Sequence, residues 1–101
     1  MPITINDKNY IIYDVVLMIT AGQLRASRAI LDIDQRRLAE AAGLSLPTIQ
    51  RMEACEGVIR GNVDSLMKLV AALDTLGIEL ISDNVTSHGG GRGVRLKRAP
   101  S

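Results

Sequence analysis

Gln50 and Arg51 stand side by side in the run Leu46 to Glu53, and their side chains can read the edges of nucleic-acid bases. The Gln50 amide both donates and accepts, which matches adenine. The Arg51 guanidinium offers parallel donors to guanine, or to a phosphate. Leu46, at the start of the same run, offers an apolar surface to a thymine methyl, and Pro47 and Thr48 share its first turn. Arg60, just beyond the run, is a candidate phosphate contact. Other chemistries find little support. Cys55 is the only cysteine, which excludes an intrachain disulfide and a cysteine-based metal cluster and fits a reducing compartment. A small, partly buried side chain is the expectation for Cys55, since there is no resolving thiol. His88, alone in a glycine-rich stretch, has neither ligand partners nor an orienting carboxylate, so neither a metal site nor catalysis is expected, and no cofactor.

Base-reading side chains need a rigid element to hold them, and residues 34 to 53, DQRRLAEAAGLSLPTIQRME, spell two short helices joined by a glycine turn. Asp34 can cap the first by accepting from the amides of Arg36 or Arg37, and Leu38, Ala39 and Ala42 recur at helical spacing. Gly43 ends it, because the chain past a helix end commonly adopts positive φ. Ser45 caps the second helix, Pro47 is tolerated in a first turn where amides lack intrahelical partners, and Ile49 and Met52 face inward. Ala39 is small enough to let the second helix cross the first closely, the geometry of a helix-turn-helix.

With its preceding helix (Leu24, Arg25, Arg28), the run Ile49 to Glu53 and the leucine-rich SLMKLVAALDTLGIEL that follows, the segment 21 to 82 resembles the xenobiotic-response-element type of helix-turn-helix regulator, which includes phage Cro and repressor proteins. The resemblance covers about three-fifths of the chain. It implies that the second helix of the motif, residues 46 to 54, lies in the major groove and presents Leu46, Pro47, Thr48, Gln50 and Arg51. It makes Gln35 a phosphate clamp at a helix amino end and counts Ser45, at the amino end of the recognition helix, among the DNA-binding residues. It also pairs Arg28 with Glu53 as a structural ion pair. The chain departs from the family's pattern at Leu46, where a polar residue often stands. The implied function is sequence-specific binding of double-stranded DNA by a dimeric repressor without catalysis. The alternative is an antitoxin or anti-activator that grips a protein partner, a toxin or an activator; HipB-type antitoxins have a similar layout.

The chain has 101 residues, 47% of them apolar, with two tyrosines and no Phe or Trp, so its core must be built from aliphatic side chains and it lacks stacking platforms for single strands. Net charge is only +1. Residues 19 to 83 hold seven Lys or Arg against nine Asp or Glu, while Arg92, Arg95, Lys97 and Arg98 concentrate positive charge near the end. That tail is expected to contact phosphates, or DNA affinity is modest and salt-sensitive.

The expected fold is mainly α: a four-helix repressor-like domain with a short C-terminal β-hairpin and an N-terminal β-like arm. Residues 1 to 19 form the arm, which reads as strand, turn, strand over 3 to 17 and is too short and too interrupted to span a membrane. Residues 20 to 77 form the helical domain. Its helices are expected over 21 to 31 with Thr20 as cap, 35 to 42, 46 to 54, and 63 to 76 with Asn62 as cap. Leu24, Ser27, Ile30 and Leu31 are expected on or near the buried face of the first, and Leu66, Leu69, Val70, Leu73 and Leu76 form the apolar stripe of the fourth that closes the core. Residues 78 to 101 supply strands over 78 to 83 and 94 to 97 and the basic tail, with the hairpin as dimer contact. A cytoplasmic location is expected.

Overall fold

The computed structural model of the protein describes residues 19–81 and 90–97; the expected strand, turn, strand of residues 3 to 17, His88 and Arg98 lie outside them. Four helices and a hairpin follow in chain order: α1 (Ala21–Leu31), α2 (Gln35–Ala42), α3 (Leu46–Glu53), α4 (Val63–Thr75), β1 (Ile78–Ile81) and β2 (Gly93–Leu96). Each helix begins where a short polar side chain accepts from an otherwise unpaired amide: Thr20 from Gln23 N, Asp34 from Arg37 N, Ser45 from Thr48 N and Asn62 from Ser65 N. Gly43 closes α2 with φ 69°, and Asp32, unusually for a residue with a side chain, closes α1 with φ 56°. Ala54 and Leu76 are end caps, so α3 and α4 each stop one residue before the expected limit.

Leu24, Leu38, Ile49, Leu66, Leu69 and Leu73, at most 1% exposed, form the centre of one aliphatic core. Ala39, 4% exposed, occupies the position where a small side chain lets α3 approach α2. Ile19 also belongs to this core, 1% exposed, and its carbonyl accepts from Ile59 N at 2.9 Å. Ile30 corrects the expected inward face of α1: at 42% exposure it lies on the outer side, while Leu31 packs against the core as expected.

β1 and β2 pair antiparallel, with Ile78 opposite Leu96, Glu79 opposite Arg95, Leu80 opposite Val94 and Ile81 opposite Gly93. Alternation puts Ile78, Leu80, Val94 and Leu96 on one face. That face turns toward the helices, where Ile78 is 2% exposed and Leu80 and Val94 pack against the core. Ile78 is therefore buried without a second subunit, whereas Leu96, 53% exposed, keeps its surface open. Among the described residues, no helix is long and apolar enough to cross a membrane.

Candidate nucleic-acid interface

The two faces of α3 differ because its eight residues obey a 3.6-residue period. Ile49, Met52 and Glu53 are buried, whereas Pro47, Gln50 and Arg51 are exposed and Leu46 and Thr48 half-buried. The outward side chains thus hold no part of the core. Ser45 Oγ accepts from Thr48 N at 3.2 Å and lies 2.8 Å from Thr48 Oγ1, so these two hydroxyls fix the amino end of α3 together. Thr48 therefore meets a ligand with part of its hydrogen-bonding capacity already used.

The carboxyl end of α3 is held by a buried carboxylate. Glu53 accepts from Arg28 Nε at 2.5 Å and Arg28 Nη2 at 2.9 Å, a bidentate pair that joins α1 to α3. Arg25 Nη1 donates to the Glu53 carbonyl at 2.7 Å, and Arg28 Nη1 to the Ile33 carbonyl at 3.1 Å. Burial alone would raise the Glu53 carboxyl. Hydrogen bonds from Arg28 and Gln35 and the positive charges of Arg28 and Arg25 outweigh it and hold the group below the usual carboxylate range.

Gln35 is turned toward this cluster, its Nε2 donating to Glu53 Oε1 at 3.1 Å. The Gln35 amide is thus partly committed inside the protein. Residue spacing gave no sign of this contact, because Gln35 and Glu53 lie 18 residues apart.

Cationic side chains divide by region. Arg36, Arg37, Arg51 and Arg60 are exposed and make no ion pair among the described residues, whereas Arg95 pairs with Glu79 at 2.9 Å and Lys97 with Asp74 at 2.6 Å. Two of the four tail cations are thereby paired within the chain. Among the described residues, the arginines whose side chains make no ion pair or hydrogen bond, Arg36, Arg37, Arg51 and Arg60, lie on α2, α3 and the loop after α3.

Gln23 escaped the sequence reading, although Thr20 followed three residues later by Gln is a recognisable capping-box signature. Its backbone N donates to Thr20 Oγ1 and its Oε1 accepts from Thr20 N at 2.9 Å. A concavity of about 480 Å³ lies between α2 and α4 over Ala41, Ala42, Ala71 and Ala72, and no α3 residue lines it. No group of three or more His, Cys, Asp or Glu among the described residues is placed to hold a metal ion. The chain matches no protein-family model, and comparison with curated proteins finds no match.

Proposed function

We propose that the protein is a sequence-specific, double-stranded-DNA-binding transcriptional regulator of the repressor-like helix-turn-helix type, acting as a homodimer through the major groove. The observation that carries this reading is α3. Its inner face is fixed by Ile49, Met52 and the Glu53 cluster, and its outer face offers Gln50 and Arg51, beside unpaired arginines on the adjoining α2 and loop. Rigid presentation of an amide and a guanidinium is what base-edge recognition requires. No catalytic role is proposed.

One α3 contacts too few base pairs for useful specificity, which supports a dimer on half-sites about one helical turn apart. The hairpin is the proposed contact. The outer edge of each strand has no partner strand among the described residues, and Leu96 is exposed. Removal of residues 83 to 101 is expected to weaken dimerisation and DNA binding together. Sedimentation that found the truncated chain as tight a dimer as the full one would move the interface elsewhere.

Selection of binding sites from random duplex, followed by gel shift, tests the main reading. Replacing both Gln50 and Arg51 with Ala should abolish specific binding and leave the melting midpoint unchanged, because each good base contact contributes about 1–3 kcal/mol of discrimination. Equal protection of the selected site by the double variant would refute the assignment. A wild-type chain that shifts no duplex but copurifies with a protein partner would select the antitoxin or anti-activator class.

A further inference from the structure

Gln23 occupies a position that capping α1 does not explain. It is 6% exposed, and its Nε2 donates to the Ile81 carbonyl at 3.1 Å and the Gly93 carbonyl at 3.0 Å, 58 and 70 residues away. These two residues are the facing pair at the far end of the hairpin. The near end is held by chain continuity with α4, by Lys97 N donating to the Gly77 carbonyl and by the Lys97–Asp74 pair. The far end has Gln23. On the same helix, Arg25 and Arg28 grip the last residue of α3. Gln23 and Arg28 are separated by about 7.5 Å along the axis at the normal helical rise.

We infer that Gln23 is a positioning residue: through the short rigid stretch of α1 between Gln23 and Arg28, it sets the hairpin relative to α3. Both amide hydrogens of Gln23 are used on the hairpin and its oxygen on the cap, so the side chain's orientation is fixed at both ends. A two-stranded hairpin is barely stable by itself. Although Ile78, Leu80 and Val94 pack against the core, the two carbonyls of the far-end pair Ile81 and Gly93 are tied to the helices by Gln23, so without this clamp the far end would move. Resting on the proposed function, with the hairpin as dimer contact, the clamp fixes the separation of the two α3 helices and hence the preferred spacing of half-sites.

Distances between nitroxide labels test the clamp without DNA, using full-length protein with Cys55→Ser and diluted in unlabelled chain to suppress signals between subunits. One pair, at Arg95→Cys and Ala54→Cys, spans hairpin to α3; a control pair, at Ala26→Cys and Ala54→Cys, spans α1 to α3. Gln23→Met removes the amide at nearly constant length, and Gln23→Glu keeps the oxygens but cannot donate when ionised. In both, the hairpin distribution should broaden roughly twofold or more, as expected for a marginally stable hairpin whose far end has lost its hydrogen bonds to α1. The control distribution should stay narrow. An unchanged hairpin distribution, or equal broadening of both pairs, overturns the inference, the latter because it marks general loss of packing. On duplexes whose half-site spacing differs by single base pairs, wild type should prefer one spacing and Gln23→Met should lose that preference while keeping its affinity for a single half-site. Retained spacing preference overturns the link to recognition. If wild type shifts no duplex, the DNA reading fails and the label distances still decide the role of Gln23.

Discussion

Two bidentate arginine–glutamate pairs sit in different surroundings in this molecule, Arg28 with Glu53 between α1 and α3, and Arg95 with Glu79 across the hairpin. Their geometry is nearly the same: in each, Nε and Nη2 meet the two carboxylate oxygens. Their solvent exposure is not. Side-chain exposure is 23% and 5% for Arg28 and Glu53, against 61% and 46% for Arg95 and Glu79. Contact lists would count the pairs as equals, whereas dielectric surroundings and desolvation separate them. Inside the fold, losing one partner strands a charge; at the surface, water takes its place.

Arg28→Ala should therefore be the most damaging single change considered for the fold, lowering stability by about 3–5 kcal/mol, because Glu53 would remain buried without its main counter-charge. That is a large share of the roughly 5–15 kcal/mol that holds a typical domain together. Urea melts check it, with Arg36→Ala as control. Arg36 is exposed and makes no ion pair among the described residues, so its loss should stay within about 0.5 kcal/mol. Equal midpoints for the two variants would mean that burial does not distinguish the Glu53 pair.

Acid sharpens the same contrast. The Glu53 carboxyl lies below its ordinary value, so the stability it contributes is present above the unfolded value of about 4.3 and is lost as pH falls through the folded one. In Arg28→Ala the sign reverses. Burial then dominates and raises the carboxyl, so the deficit of the variant should grow as pH rises from about 4 to 7 and shrink on acidification. A deficit independent of pH would assign the loss to packing of the arginine stem instead. Glu79 is also held low, by the Arg95 hydrogen bond and the charges of Arg95 and Lys97, but in solvent this contribution should fade with added salt.

Gln35→Ala comes next in size. Its hydrogen bond to the charged Glu53 predicts a loss of about 1.5 kcal/mol in thermal or urea melts. A clamp that served only phosphate would give the opposite pattern, a weaker DNA complex at unchanged stability.

The helices were legible because their signals are local. Thr20, Asp34, Ser45 and Asn62 were each expected as caps and each accepts from the third following amide, and Gly43 adopts the positive φ expected of it. Exposure of Gln50 and Arg51 follows from the same short period that buries Ile49 and Met52. What escaped depends on distant partners: Gln35 turning toward Glu53, Gln23 reaching the hairpin, and the pairing of Arg95 and Lys97 with Glu79 and Asp74. A cross-strand pair such as Glu79 with Arg95 becomes readable only once the register is known, and a turn of several residues leaves the register open. Ile30 misled for a related reason. Ile30 and Leu31 both lie near the edge of the α1 apolar face by helical period, and the left-handed turn at Asp32 followed by inward-packing Ile33 brings Leu31 to the core and leaves Ile30 outside.

Arg95→Ala should have the smallest effect, which gives it value as a test. The attraction between Arg95 and Glu79 acts through solvent, and ordering two long side chains opposes it, so the melting midpoint should not move beyond error. Its effect on DNA binding separates two sources of phosphate contact. If the unpaired arginines near α3 carry that contact, Arg95→Ala should leave both the affinity for a selected duplex and its salt slope unchanged. Arg60→Ala, by contrast, should reduce the slope by about one phosphate's worth of released counterion. Binding that weakened equally in both variants would show that Arg95 leaves Glu79 for the DNA backbone, and the hairpin would then belong to the interface rather than only to its scaffold.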